Sequence, residues 1–392
     1  MDVKKAVAKI SGVGFGELSR KFTLSSKELA VDAVIAAVQD AGLDKSAIDG
    51  LIVNRSSTAE KSILSLRIQD DLGLRNLKIT DTFSSEGAAA VQMIQQASLA
   101  IHYGMAEHIV CVFADTPIME AQSGGDAYAI TMDLDNVIGW EQEYGLHGAV
   151  GAYALAMQKY MASYGATEED FGAVAIANRA WAGKNPGAFL RKPMTMEDYM
   201  ASKSISAPLR MFDCAFPVNG GCAVVVSAVD SSAGGDSGSA YVRGMGQGHG
   251  GYKTYGGHDN ETVTAARLAA DTAYSMAGIT PADINHAHIY DAFTYTGIIG
   301  LEDYGFCPKG KGGAFYRDGG TAPGGKLPVN TGGGQLSGYY LQGMTQVSEA
   351  VLQATGRAEG RQLDKNDWIL ASNQGGRMDY HACLVLSCNK GN

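Results

Sequence analysis

The sequence predicts an α/β protein built from two similar halves in tandem, and two observations carry that expectation. Strand-like and helix-like segments alternate along the chain, a pattern that places helices on the faces of a mostly parallel sheet. One such unit also recurs. Ala41-Gly42-Leu43, Ile48-Asp49 and Leu51-Ile52-Val53 return as Ala277-Gly278-Ile279, Ile284-Asn285 and Ala287-His288-Ile289, 236 residues later without a gap. Each copy follows an alanine-rich helix, and a period this long means duplication of a whole domain rather than a solenoid. The small-residue run Ser231 to Ser239 lies between the copies and reads as a linker. The first half is therefore expected over residues 1–230, with a loop insertion at about 115–210, and the second over 236–392.

The elements follow in order. Ala6 to Gly16 alternates like a strand and closes on Gly12, Gly14 and Gly16. Ser25-Ser26 supplies a helix N-cap, since a serine hydroxyl accepts a backbone N–H left unpaired in the first turn. Leu29 to Ala41 then carries apolar residues at helical spacing up to Gly42. Leu51-Ile52-Val53 and Leu77 to Thr80 read as buried strands, and a long helix starts near Ser85 and runs through His102 to Gly104. The apolar run His108 to Phe113, a helix from Gly151 to Tyr164 and a strand from Ala223 to Ala228 complete the first half. The linker contains Gly235-Asp236-Ser237-Gly238, a tetrapeptide also found around the nucleophile of trypsin-like proteases. In an α/β-patterned chain it reads as linker.

Composition excludes several classes. Of 392 residues 51 are glycine, nearly twice the usual share of about 7%, and 45% are hydrophobic, so the chain has the material for a packed core. A net charge of −10 argues against a nucleic-acid binder, which normally shows a basic face. No apolar run approaches the length of about 18 residues that spans a membrane, and the N-terminus lacks the apolar core of a signal peptide. The six cysteines, at 111, 214, 222, 307, 383 and 388, show no metal-ligand spacing. They read as reduced thiols of a cytoplasmic protein, and no metal site is expected.

Three glycine clusters stand out. Gly244-Met245-Gly246-Gln247-Gly248 follows a strand-like run but lacks the third glycine and the helix of a dinucleotide fingerprint. Asn330-Thr331-Gly332-Gly333-Gly334-Gln335 and Asn373-Gln374-Gly375-Gly376 lie in the second half. Such loops let backbone approach a ligand and offer N–H groups as an oxyanion hole; tight turns are the alternative.

These two loops, the paired halves and the insertion together resemble the thiolase superfamily. Ile205-Ser206-Ala207-Pro208-Leu209, Asp213-Cys214 and Tyr290-Asp291-Ala292-Phe293 are similar more narrowly to its sterol-carrier-protein-x branch. The resemblance implies a thiolase fold, two α/β halves layered αβαβα. It also identifies what has been replaced. Where the family begins its long first-half helix with a nucleophilic cysteine, this chain has Ser84-Ser85-Glu86-Gly87. The family's Asn-Glu-Ala-Phe motif reads Tyr290-Asp291-Ala292-Phe293, its Gly-His-Pro histidine falls on Tyr340, and its second catalytic cysteine falls on Asn373.

Claisen chemistry needs a thiolate to carry the acyl group, and a serine hydroxyl without a dedicated base is no substitute. Tyrosines at two former catalytic positions are similar to the thiolase-like aldolases, of lipid-transfer-protein type, that shorten steroid side chains. That resemblance implies retro-aldol cleavage of a β-hydroxyacyl-CoA, with Tyr290 and Tyr340 moving protons and Asp291 supporting them. Gly333, Gly334, Gln335, Gly375, Gly376 and His249 are expected to bind substrate. An acyltransferase using Ser84 and a non-catalytic acyl-CoA-binding subunit are the alternatives. His147 is a further candidate for the cleft, and Arg191, Lys192, Lys203 and Arg210 are candidates for a coenzyme A phosphate. No cofactor is expected on this chain, coenzyme A entering as part of the substrate. The resemblance also implies a homodimer, with His108 to Phe113 as the candidate edge strand. It further implies a small OB-fold and zinc-ribbon partner completing a heterotetramer; with no Cys-Xaa-Xaa-Cys pair here, any zinc would belong to that partner.

Overall fold

The computed structural model describes residues 5–55, 64–119, 141–146, 148–235, 238–250 and 261–391. His147 and residues 120–140 of the expected insertion lie outside the described residues. The first half runs β1 (Ala8–Phe15), α1 (Ser26–Asp40), β2 (Gly50–Asn54), α2 (Leu64–Leu72), β3 (Ile79–Phe83), α3 (Ala89–His102) and β4 (His108–Asp115). It continues through α4 (Gly148–Tyr164), α5 (Glu168–Ala182), α6 (Met196–Met200), β5 (Ser204–Ser206), β6 (Leu209–Arg210) and β7 (Gly220–Ser227). The second half comprises β8 (Ala240–His249), α7 (Ala266–Ala277), β9 (His286–Ile289), α8 (Thr294–Asp303), α9 (Gly312–Arg317), α10 (Met344–Ala354), β10 (Ile369–Gly375) and β11 (Tyr380–Ser387).

Local chemistry sets several boundaries. Ser25 caps α1 in a reciprocal capping box with Glu28. The recurring unit has the same local structure in both copies. Gly42 (φ +66°) and Gly278 (φ +76°) end their helices in the left-handed region, 3₁₀ turns follow at Lys45–Ala47 and Pro281–Asp283, and then β2 and β9. The glycines of β1 and β8 have a shared purpose. A Cβ at Gly12 would lie 2.3 Å from the Ala37 carbonyl of α1, and one at Gly244 would lie 2.3 Å from the Ala273 carbonyl of α7. Each helix therefore rests directly on strand backbone.

Among the described residues the main sheet has nine strands in the order β3-β2-β4-β7-β1-β8-β11-β10-β9, the halves meeting where β1 pairs with β8. It is mixed, which corrects the expectation of a mostly parallel sheet. Only β2/β3, β2/β4 and β9/β10 are parallel. In each half the opening strand and the closing strand come together antiparallel, β1 with β7 and β8 with β11, without the helical crossover that enforces parallel pairing. A second correction concerns the edge. His108 to Phe113 belongs to β4, which is hydrogen-bonded on both sides, by β2 and β7, and the first-half edge is β3.

Alternation along the strands separates the layers. In β4, Ile109, Cys111 and Phe113 join one core with α3 and α10, whereas Val110, Val112 and Ala114 join another with α1 and α2. In β11, Ala382, Leu384 and Leu386 face the α3 and α10 core, and Cys383 and Val385 face α7 and α8. Helices α3 and α10 thus form a central layer between the two halves of the sheet, with further helices outside: the αβαβα arrangement. The long first-half helix starts later than expected, a 3₁₀ turn at Glu86–Ala88 preceding Ala89.

Candidate active site

The two tyrosines expected to act together do meet. Tyr290 leaves the end of β9, and Tyr340 follows the π-type turn Gly334–Gly338, its N–H donating to the Phe216 carbonyl at 3.2 Å. The phenol oxygens are 3.2 Å apart. Gly87, at the entrance to α3, presses on the pair. A Cβ there would sit 2.5 Å from the Tyr290 hydroxyl and 2.3 Å from the Gln374 carbonyl. The glycine that closes the stretch replacing the thiolase nucleophile motif is therefore packed against Tyr290. Burial pushes both phenols above their ordinary value, and the hydrogen bond between them raises Tyr290 while lowering Tyr340. Both are neutral at physiological pH.

Asp291 points elsewhere. Its Oδ2 accepts from Asn178 Nδ2 at 2.6 Å, and its Oδ1 accepts from Gln335 N and Gln346 Nε2, both at 2.9 Å. Gly334 (φ +60°) comes so close that a Cβ would lie 2.1 Å from Oδ2. The carboxyl thus ties the glycine loop before Tyr340 to the segment that carries Tyr290. Complete burial raises it to about 7, against the lowering effect of the Gln335 N–H.

The loop donors are partly engaged. The Gly333 N–H donates to Asn330 O at 2.8 Å, and the Gly376 N–H to Glu86 Oε2 at 3.1 Å. Gln335 Nε2 donates to Gln342 O at 2.7 Å and Gln346 Oε1 at 3.1 Å. Gly375 lies against Ser85, whose carbonyl would be 2.0 Å from a Cβ there. His249 stands at the exposed end of β8, its ring 5.6 Å from that of Tyr380. It reaches the entrance of α3 only through a side-chain chain: His249 Nε2 to Gln247 Oε1 (3.1 Å), Gln92 Nε2 to the same oxygen (3.2 Å), and the Ser85 hydroxyl to Gln92 Oε1. Arg210 is committed to Glu168 at 2.7 Å, while Arg191, Lys192 and Lys203 are exposed.

A family profile described as thiolase C-terminal domain-like matches residues 246–388. The steroid side-chain-cleaving aldolase of Thermomonospora curvata is 33% identical over 390 residues, spanning 96% of this chain and 97% of its own. The 17-hydroxy-3-oxo-4-pregnene-20-carboxyl-CoA lyase of Mycobacterium tuberculosis is 31% identical, over 89% of this chain and 92% of its own. A solved structure described as Ltp2-ChsH2(DUF35) aldolase matches with a TM-score of 0.86 at 32% identity, covering 99% of both chains.

The chain belongs to the thiolase superfamily. Within it the similarity runs to the aldolases, as the tyrosines at former catalytic positions implied.

Three residues in this thiolase-superfamily site were not singled out for a role by the sequence. Glu86 adopts φ +49°, unusual for a residue with a side chain. Its carboxylate shows surface to solvent yet is crowded by protein, and that desolvation raises its pKa. Tyr153 of α4 donates to Gly376 O at 3.2 Å, accepts from Gln374 Nε2 at 3.1 Å and stacks on Phe293 at 4.5 Å. Asn373, where the superfamily's second cysteine would stand, is 1% exposed. Glu86 stands inside the motif that replaces the nucleophile, which is the signal that could have found it. Nothing local marks Tyr153, which arrives from a helix more than a hundred residues away in sequence from either tyrosine of the pair.

Proposed function

We propose that this protein is a carbon–carbon lyase that cleaves a β-hydroxyacyl-CoA by retro-aldol reaction, giving a ketone or aldehyde and a shorter acyl-CoA. A steroid side-chain thioester is the substrate class that the named relatives suggest, with acetyl-CoA or propionyl-CoA released. The observation that carries the reading is the contact between Tyr290 and Tyr340 beside the entrance of α3, where the stretch Ser84-Ser85-Glu86-Gly87 has no thiol. One group takes the proton of the β-hydroxyl, the Cα–Cβ bond breaks, and its electron pair moves into the thioester as an enolate. A second group then protonates Cα. Two phenols in contact suit this exchange, because a phenol donates or accepts according to its surroundings. Asp291 supports them by fixing the Gly334–Gln335 loop. Gly333, Gly334, Gln335, Gly375 and Gly376 shape the cleft, with His249 at its margin.

The assembly is part of the proposal. Among the described residues β3 has a hydrogen-bonded neighbour on one side only, and an unpaired edge is a template for another chain. Gln96 of α3 reaches Asp81 of β3 at 3.2 Å, and Leu99 and Tyr103, on the same helix face, are 48% and 77% exposed. A second copy pairing at β3 would cover them. The solved Ltp2-ChsH2(DUF35) aldolase is named for two components, which supports a small partner chain, with an OB-fold and any zinc of its own, completing a heterotetramer. Among the described residues no helix is long and apolar enough to cross a membrane.

The test is to incubate the protein, alone and with a candidate partner, with a tertiary β-hydroxyacyl-CoA and to look by mass for both products. Release of ketone and shorter acyl-CoA is expected. Acyl transfer to free coenzyme A without cleavage of the hydroxyacyl compound would overturn the reading.

A further inference from the structure

Asn373 is, among the described residues, the buried amide to which the protein offers no hydrogen-bond partner at either Oδ1 or Nδ2. Other buried amides near the pair, Asn54, Asn178 and Gln335, leave only the oxygen unpaired and use their NH₂ groups. Leaving both ends of a buried amide unpaired is unfavourable, and native chains rarely tolerate it without a functional reason. The side chain also has a definite direction. Along β10, Ala371 joins the central core and Leu370 the outer one, so Asn373 projects toward the central helices. There a Cβ at Gly343 would lie 2.0 Å from Asn373 Nδ2 and 2.4 Å from the Gly87 carbonyl. The amide therefore sits between the first turns of α3 and α10, and the aligned peptide dipoles of those helix N-termini make that space favourable to negative charge.

We propose that Asn373 is a catalytic residue whose Nδ2 donates to the thioester oxygen as it becomes an enolate. The inference rests on the retro-aldol reading and assigns the oxyanion to a side chain rather than to the glycine loops, where the Gly333 and Gly376 N–H groups already have acceptors. One phenol of the pair first gives up its proton to solvent; as the phenolate it takes the β-hydroxyl proton, the Cα–Cβ pair flows into the Cα–C bond, and the carbonyl π pair moves onto the oxygen held by Asn373. The reverse flow, with a proton delivered to Cα, regenerates the thioester. No oxidant or further reactant enters.

The test compares Asn373→Leu and Asn373→Ser with wild type in three measurements: kcat and KM on a β-hydroxyacyl-CoA, deuterium exchange at Cα of the product thioester in D₂O, and Tm. Loss of one oxyanion donor lowers kcat by about 10²–10³-fold, so that fall is expected with KM within a few-fold. Exchange should fall in parallel, because it needs the enolate but no bond cleavage. Tm should hold or rise for Asn373→Leu, since an unpaired amide is removed. Variants that keep kcat within about threefold, or lose cleavage but keep exchange, would overturn the role of Asn373 while leaving the aldolase reading intact. A fall in Tm for both variants would show the amide to be partnered in the free enzyme and would also overturn it. A wild-type protein that neither cleaves nor exchanges would overturn the retro-aldol reading and this inference with it.

Discussion

Replacing Asp291 by asparagine separates structural from chemical roles at this site. The carboxyl is fully buried and raised to about 7, so on folding it takes up a proton between the ordinary carboxylate range and neutrality. Its contribution is therefore most favourable below about pH 4 and is lost as pH rises through about 7. Spread over that interval at roughly 1.4 kcal/mol per pH unit, the loss amounts to about 4 kcal/mol. Asp291→Asn removes the ionisation. The new NH₂ group would face Asn178, whose own Oδ1 is buried without a partner. By turning over its amide, Asn178 can accept from it, while the remaining oxygen keeps the Gln335 and Gln346 contacts. The assay is urea denaturation of wild type and variant at half-unit steps from pH 5 to 8.5. Between pH 5 and 8.5 the assay reads about two pH units of that window, so the difference between the two should swing toward the variant by about 2–3 kcal/mol as pH rises. Parallel curves, or a variant less stable by more than about 2 kcal/mol at pH 8, would refute the reasoning. Turnover of the folded variant then reads the chemical role alone: a loss under tenfold marks Asp291 as a positioning residue, and a larger one as a base.

The other predictions concern the pair and its surroundings. Tyr290→Phe and Tyr340→Phe should each lose at least about a hundredfold in kcat with the fold retained, as expected for a lost proton-transfer group; Ser84→Ala should keep most activity, and the opposite pattern would favour the acyltransferase. Gly87→Ala forces a methyl into the Tyr290 hydroxyl and the Gln374 carbonyl and should lower stability by about 1–3 kcal/mol and activity more than tenfold, checked by denaturation and product formation. If a second copy pairs at β3, Thr80→Pro should shift the particle to half its mass in light scattering, and an unchanged mass would exclude that edge.

What the sequence determined by itself is what neighbours in the chain decide. Capping by Ser25, the left-handed glycines at 42 and 278, and strand alternation depend on residues within a turn or two, and they could be read directly. The 236-residue repeat exposed the duplication because both copies obey those same local rules. Motif position brought Tyr290 and Tyr340 to attention. The tertiary structure decided everything that depends on distant partners. Whether β4 or β3 forms the edge depends on β7, more than a hundred residues beyond either. Asp291 reads only as a support for the two tyrosines until Asn178 and Gln346 are seen to hold its carboxyl. Glu86 meets Gly376 across 290 positions, and Tyr153 comes in from α4. That Asn373 lacks partners is a property of a whole packed neighbourhood, because an unsatisfied amide is defined by what every surrounding element fails to offer it.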